Sequence, residues 1–269
     1  MKAKRYLLDS TLRDGEQSPS VTLNAKQKIK IASLLDNAGI YQIEAGIPAI
    51  STEEKNTISK ILENRKNAVI SVWSRLIPED IQQATEVFPD MVHISIPVSY
   101  VHIYAKLRKN KSWLINQLYA CLEVIQKNKV KFSVGFEDAF RSEFSFMAKV
   151  ADILTEYGVS RIRIADTVGI ANPSTCRNLI NEFSALTENK IELGFHAHND
   201  LGMAVANSVE TAKAGCLYVD VTAGGIGERA GNCNLAQLVY SSSDIFDWGL
   251  NAYQAFELQK NIIEIIKER

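Results

Sequence analysis

Between Tyr6 and Asp244, short β-branched runs alternate with amphipathic helical stretches eight times. This alternation constrains the fold most, because parallel strands need helical crossovers and pack only into an open doubly wound sheet or a closed barrel. The strand runs are Tyr6–Asp9, Tyr41–Ala45, Ala68–Trp73, Met91–Ile96, Lys131–Gly135, Arg161–Ala165, Ile191–Phe195 and Tyr218–Val221. Asn24 caps a helix to Asn37 that Gly39 stops. Ser51-Thr52-Glu53-Glu54 reads as a capping box opening a helix to Asn64, and Pro78 and Pro173 stand in first turns. Further helices are expected over Ser112–Lys127, Ser142–Tyr157, Gly202–Ala214 and Asn234–Asp244. Eight units of about 30 residues favour a (β/α)8 TIM barrel over the open sheet. The barrel is assigned to residues 1–250, and 251–269 form a short C-terminal helical extension. Its Tyr253, Phe256, Ile262, Ile263, Ile265 and Ile266 offer enough apolar surface either to pack on the barrel or to dock another chain.

Bulk properties exclude several function classes. A formal net charge of −1 over 269 residues gives no electrostatic case for nucleic acid or an anionic membrane as partner. No apolar run is long enough for a transmembrane helix, and Asp9 and Ser10 interrupt the opening before it can read as a signal peptide. Cys121, Cys176, Cys216 and Cys233 lie far apart and form no Cys-x-x-Cys, which reads as reduced thiols of a cytoplasmic protein.

In such barrels chemistry sits at the C-terminal ends of the strands. Those ends deliver Thr11 to Gln17 with Arg13 and Asp14, then Glu44, Ser95, Glu137-Asp138 with Arg141, Asp166-Thr167, and His196-x-His198-Asn199-Asp200. The last strand leads into Gly224 to Asn232. Two of the four histidines thus stand at i and i+2 of one strand, on one face, while Ile191, Leu193, Phe195 and Ala197 take the other. Side by side, two imidazoles suit one divalent metal, though a structural pair has the same spacing. Asp166, Asp200 and Thr11 read equally well as local caps or ion-pair partners. Gly225-x-Gly227-x-x-Ala230 follows the last strand with no βαβ unit behind it, so it reads as a close-approach loop, not a dinucleotide fingerprint. Lys106, Arg108, Lys109 and Lys111 could meet a nucleotide phosphate, but read first as a solvated basic face.

Leu12-Arg13-Asp14-Gly15-Glu16-Gln17, His196-Ala197-His198-Asn199-Asp200 and Gly231-Asn232 together resemble the metal-dependent acyl-CoA condensing and cleaving barrels. These include the 2-isopropylmalate, homocitrate and citramalate synthases and hydroxymethylglutaryl-CoA lyase. Within that family, Ile43 to Ala49, Val134 to Ala139 and Ala165 to Gly169 look most like the homocitrate synthase of nitrogen fixation. Gly227 to Asn232 looks like the synthase branch, since the lyase would carry a cysteine in a Gly-Gly-Cys-Pro motif there.

The resemblance implies roles. Asp14, His196 and His198, with Asn232 as a further ligand, would hold Mg²⁺, Mn²⁺ or Zn²⁺. Arg13 would stabilise the developing alkoxide, and Glu137 would handle the acetyl methyl proton. Thr167 would bind the substrate carboxylate, with Gln17 and Glu44 lining the pocket. Gly135 stands where some relatives carry a bulkier polar residue, a position bearing on which oxo acid fits. The implied reaction condenses acetyl-CoA with 2-oxoglutarate to homocitrate. The family's synthases carry a further subdomain that supplies a catalytic histidine, so the resemblance also implies a second subunit supplying that segment. Two other readings stay open: a carbon–carbon lyase running the reverse cleavage, and a silent barrel that regulates a partner synthase.

Overall fold

In the computed structural model, which describes every residue except Met1, Ser20, Asn189 and Arg269, eight parallel strands close into one barrel. They are β1 (Tyr6–Asp9), β2 (Gln42–Glu44), β3 (Val69–Arg75), β4 (Met91–Pro97), β5 (Phe132–Glu137), β6 (Arg161–Asp166), β7 (Glu192–Ala197) and β8 (Tyr218–Val221). Closure is the β1–β8 pairing, with Tyr6 opposite Tyr218 and Asp9 opposite Val221. The surrounding helices are α1 (Ala25–Asn37), α2 (Thr52–Asn64), α3 (Pro78–Thr85), α4 (Lys111–Asn128), α5 (Phe144–Glu156), α6 (Pro173–Leu186), α7 (Ala204–Lys213), α8 (Leu235–Ser242) and α9 (Ala252–Lys267). The predicted TIM barrel is the observed one. A short parallel pair, Ala3–Lys4 with Phe246–Asp247, lies outside it.

Boundaries differ where lumen chemistry interrupts the apolar pattern. β5 continues to Glu137 and β7 to Ala197, still in register with Pro97 and Asp166. The ladder therefore runs past the point where hydrophobicity fades. His196 lies inside β7 rather than after it. α7 starts at Ala204, because Gly202 is left-handed at φ 70° and cannot be helical. Ser51 accepts from the Glu54 N–H at 3.1 Å, but the Glu54 carboxylate turns away to Lys28 instead of closing the capping box. The connection after β4 holds a π-helical turn, Val101–Lys106.

On β7 the two faces separate as alternation requires. Leu193, Phe195 and Ala197 are buried in the apolar layer beneath the helices, and Phe195 meets Phe140 edge-on. The inward face is polar, unlike the layers of Val, Ile and Leu that usually fill such barrels. At the bottom, Tyr6, Tyr41 and Tyr218 cluster, and the Arg161 guanidinium lies over Tyr218 while donating to Gln42 Oε1 at 3.0 Å. One layer up, Arg163 donates to Glu44 Oε2 at 3.1 Å and to Asp220 Oδ2 at 2.6 Å. Desolvating such charges costs several kcal/mol per ion, so these pairs are better explained as positioning devices than as sources of stability.

α9 buries Ala255, Leu258, Ile262 and Ile265 and packs in the helical ring between α8 and α1. Asn251 caps it with a complete capping box. At its other end Gln27 of α1 donates to the carbonyls of Ile265 and Glu268, at 2.8 and 2.9 Å. Tyr253 and Phe256 remain exposed on its outer face.

Candidate active site and metal centre

The turn after β1 winds onto one carbonyl. The N–H groups of Arg13, Asp14 and Gly15 all point to Ser10 O, at 3.1, 2.8 and 3.1 Å. This aims the Arg13 and Asp14 side chains over the barrel mouth. β8 lies between β7 and β1, so Asp14 reaches across it to the histidines. Asp14 Oδ2 lies 3.0 Å from His196 Nε2, and His198 Nε2 lies 3.3 Å from the same nitrogen. One donor atom from each of Asp14, His196 and His198 falls within 4.8 Å of the others, and all three residues are buried.

Asn232 joins them through the glycine loop. His198 and Asn232 form an isolated antiparallel bridge, and the Asn232 N–H donates to Gly225 O at 2.9 Å. Only glycine fits at position 231. Its φ is 89°, and a Cβ would lie against Gly225 O. Asn232 Nδ2 donates to Ile226 O at 3.1 Å, which leaves Oδ1 without a partner.

The residues fit a divalent cation. Asp14 Oδ1, His198 Nδ1 and Asn232 Oδ1 are buried without hydrogen-bond partners among the described residues, each an unmet cost of about 1–3 kcal/mol. Around them, Arg13 and Arg163 face Asp14, Glu44 and Asp220, and the third carboxylate charge is met by His196, at the place a bound cation would take. A carboxylate, two imidazoles and an amide oxygen are a donor set for such an ion.

Asp220, in the middle of β8, was not apparent from the strand ends. Its Oδ2 accepts from His196 Nδ1 at 2.9 Å. A carboxylate can only accept, so His196 keeps a proton on Nδ1 toward Asp220, and its Nε2, facing Asp14 Oδ2, carries a second proton whose place a bound cation would take. Such carboxylate–imidazole pairs orient metal ligands. Burial lowers the His196 pKa, but Asp14 and Asp220 outweigh it and hold it up to about 9. Burial and the adjacent His196 charge push His198 down to about 3. Asp14 is held below the ordinary carboxylate range, since Arg13 and His196 outweigh its burial.

A cavity of about 230 Å³ opens beside these ligands, and its wall includes Arg13, Gln17, His93, Glu137, Thr167 and Arg163. Arg13 is clamped by Glu44 and Asp14 and lies over Trp73. Glu44 is therefore not a wall residue, in contrast to the sequence expectation. Both of its oxygens are taken by guanidinium groups, and it stands behind Arg13. Gln17 sits exposed at the rim in the short 3₁₀ turn Gly15–Gln17. Burial would raise the Glu137 carboxyl, but contacts with His102 and Ser95 hold it below the usual glutamate value. Ser95 donates to Glu137 Oε1 at 2.6 Å. Thr167 Oγ1 accepts the Asp138 N–H at 2.8 Å, which frees its own hydroxyl hydrogen for the cavity.

Lys106, read from the sequence as part of a basic face, also reaches the wall. His93 was likewise unassigned. Its Nδ1 lies 2.8 Å from Ser133 Oγ, and its Nε2 is buried closely under Gly135 with no partner among the described residues. Other strand-end residues are structural. Asp166 accepts from the N–H groups of Ile170 and Ala171, Asp200 pairs with Arg229, and Thr11 Oγ1 accepts from Ala223 N–H.

This assembly of mouth residues can be set beside known proteins. The HMGL-like family model matches residues 4–259. The chain belongs to the HMGL-like family. It is 38% identical over 234 residues to a protein named homocitrate synthase subunit alpha from Clostridium pasteurianum, covering 87% of this chain and 86% of that one. It is 36% identical over 259 residues to 2-isopropylmalate synthase 2 of Caldanaerobacter subterraneus subsp. tengcongensis, covering 96% of this chain and 67% of that one. The chain thus spans about two thirds of that synthase's length. Among solved structures, hydroxymethylglutaryl-CoA lyase from Pseudomonas aeruginosa superposes with a TM-score of 0.84 at 18% identity, over 100% of this chain and 95% of that one. At that identity the likeness speaks for the fold alone. Among the described residues, no helix is long and apolar enough to cross a membrane.

Proposed function

We propose that the chain is a metal-dependent acyltransferase that condenses acetyl-CoA with a 2-oxo dicarboxylic acid, 2-oxoglutarate, to give homocitrate and CoA. The carrying observation is that the Asp14–His196–His198 donors, Arg13, Thr167 and Glu137 all face one cavity. Asp14, His196, His198 and Asn232 would hold the divalent ion, whose chemistry when bound is Lewis-acid polarisation of the oxo-acid carbonyl.

The chain's own groups do the rest. Thr167, its oxygen already accepting the Asp138 N–H, turns its hydroxyl hydrogen toward the substrate carboxylate. Glu137, held ionised, removes a proton from the acetyl methyl group. The resulting enolate attacks the keto carbon. Arg13, fixed by Glu44 and Asp14 before substrate arrives, meets the negative charge that develops on the former carbonyl oxygen, so little reorganisation is needed at that moment. Water then cleaves the thioester. A wall carrying Lys106 and the unpartnered His93 Nε2 suits a second carboxylate better than a branched alkyl group.

We also propose that the barrel works with a second subunit. The name of the Clostridium relative, a subunit alpha of similar length, supports this. The lyase alternative is disfavoured by the mouth loop itself, because Gly224 to Asn232 holds no cysteine. The next residue, Cys233, is fully buried, and burial pushes its thiol up to about 12.

The test is thiol release from acetyl-CoA with Mg²⁺ or Mn²⁺, across 2-oxoglutarate, 2-oxoisovalerate and pyruvate, with and without a candidate partner. Release that requires an oxo acid and is fastest with 2-oxoglutarate is expected. No release with any acid, metal or partner overturns the proposal.

A further inference from the structure

His102 lies in the π-helical turn after β4, buried, between two carboxylates. Its Nδ1 is 3.7 Å from Glu137 Oε2, and its Nε2 is 3.8 Å from Asp138 Oδ2. The Asp138 side of this arrangement is rigid. Arg141 grips the Asp138 carboxylate through Nε and Nη2, and the Ser99 hydroxyl donates to it. The same Ser99 oxygen accepts the His102 backbone N–H at 3.1 Å. Asp138 itself is held left-handed at φ 59°. By contrast, His102 Nδ1 is buried with no hydrogen-bond partner among the described residues and faces Glu137. π-turns are rare and recur at functional sites. Here the turn brings both His102 and Lys106 to the mouth.

We propose that His102 is the positioning residue behind Glu137: its Nδ1 stands against Oε2 and receives the proton that Glu137 takes from the acetyl methyl group. This rests on the acetyl-CoA reading above. Each carboxylate can only accept, so the neutral ring donates to one of them at a time; with its proton on Nε2 toward Asp138, the Nδ1 lone pair is open to the proton that Glu137 Oε2 acquires. In the step, the methyl C–H bond breaks and its electron pair becomes the enolate. The proton goes to Glu137 Oε2 and from there to His102 Nδ1, giving an imidazolium beside Asp138. After carbon–carbon bond formation the same pair returns that proton to the product alkoxide, so no further reactant is needed. Both ring contacts must shorten by under about 1 Å, as such contacts do when substrate binds. The barrel then carries an imidazole of its own beside the base, whatever a second subunit adds.

A second cavity of about 280 Å³ borders His102 and shares Trp73, Ser95, Lys106 and Glu137 with the metal-site cavity. Removing the ring therefore leaves a space that a free imidazole can enter, and this gives the test. The full chain, with metal and whatever partner activity requires, is assayed for CoA release and for deuterium exchange into the acetyl methyl group. His102→Ala is expected to lower kcat by about 100-fold or more, with the oxo-acid KM, metal affinity and Tm little changed. Added imidazole should restore at least tenfold in that variant without accelerating the wild type. His102→Gln, which fills the space but cannot take up a proton, should stay slow and resist rescue. Wild-type kcat in the glutamine variant, or a loss in the alanine variant that imidazole leaves untouched, overturns the assignment. A wild-type chain silent in both assays overturns the acetyl-CoA reading, and the assignment with it.

Discussion

An alanine at position 135 would place a methyl group 2.6 Å from His93 Nε2 and 3.2 Å from its Cε1, where unstrained contacts need about 3.5 Å. Gly135 is not left-handed, so the cost is purely one of space. His93 cannot step aside freely, being buried and held to Ser133 Oγ at 2.8 Å. Overpacking of this kind costs about 1–3 kcal/mol, and weakening the Ser133 hydrogen bond adds about 1. A loss of about 2–4 kcal/mol, or about 4–7 °C in Tm for a chain of this length, is expected. The displaced ring also encroaches on the cavity, so the oxo-acid KM should rise. Thermal melts and initial rates on Gly135→Ala, His93→Ala and the double variant check this. With His93 truncated, the same alanine should cost less than about 0.5 kcal/mol, the level at which independent changes add. An equal cost in both backgrounds would refute the argument that His93 is what reserves this position for glycine.

Two further outcomes follow from buried carboxylates. Asp220→Asn removes the carboxylate charge that orients His196, and divalent-metal affinity measured by calorimetry should fall about 10–100-fold; an unchanged affinity would remove Asp220 from the site. Burial pushes the Asp9 carboxyl up to about 7, against the hydrogen bond it accepts from Thr11 N–H. A raised carboxyl contributes stability that is full below its unfolded value near 4 and is lost as pH rises through about 7. Asp9→Asn should therefore melt close to the wild type at pH 4 and increasingly above it as pH rises to 9, by up to on the order of 4 kcal/mol. Melting curves that stay parallel across that range would contradict it.

The barrel was legible because eight apolar runs and eight amphipathic stretches alternate without a gap. The metal ligands were legible because His196 and His198 share a strand face and Asp14 ends a neighbouring segment. The lumen network was not, although the same spacing announces it. Arg161 and Arg163 stand at i and i+2 of β6, as Tyr218 and Asp220 do on β8, charged or polar residues between buried aliphatic ones. Attention to strand ends passes over such mid-strand residues, and their partners lie across the barrel, at separations no local pattern encodes. Glu44 looked available for the same reason, since nothing nearby in sequence predicts that two distant arginines claim it. His102 sits on a turn whose π geometry has no simple periodicity. The amphipathic pattern of α9 was clear, but that it packs between α8 and α1 depends on Gln27 reaching its C-terminal carbonyls.

The central claim is that one divalent cation sits at the mouth between β1 and β7. Calorimetric titration of the chain with Mn²⁺, beside His196→Ala, tests it most directly. The account predicts one ion bound per wild-type chain and none by the variant, with the variant's circular dichroism and cooperative melt retained. Unchanged stoichiometry and affinity in His196→Ala would place any metal elsewhere and contradict it.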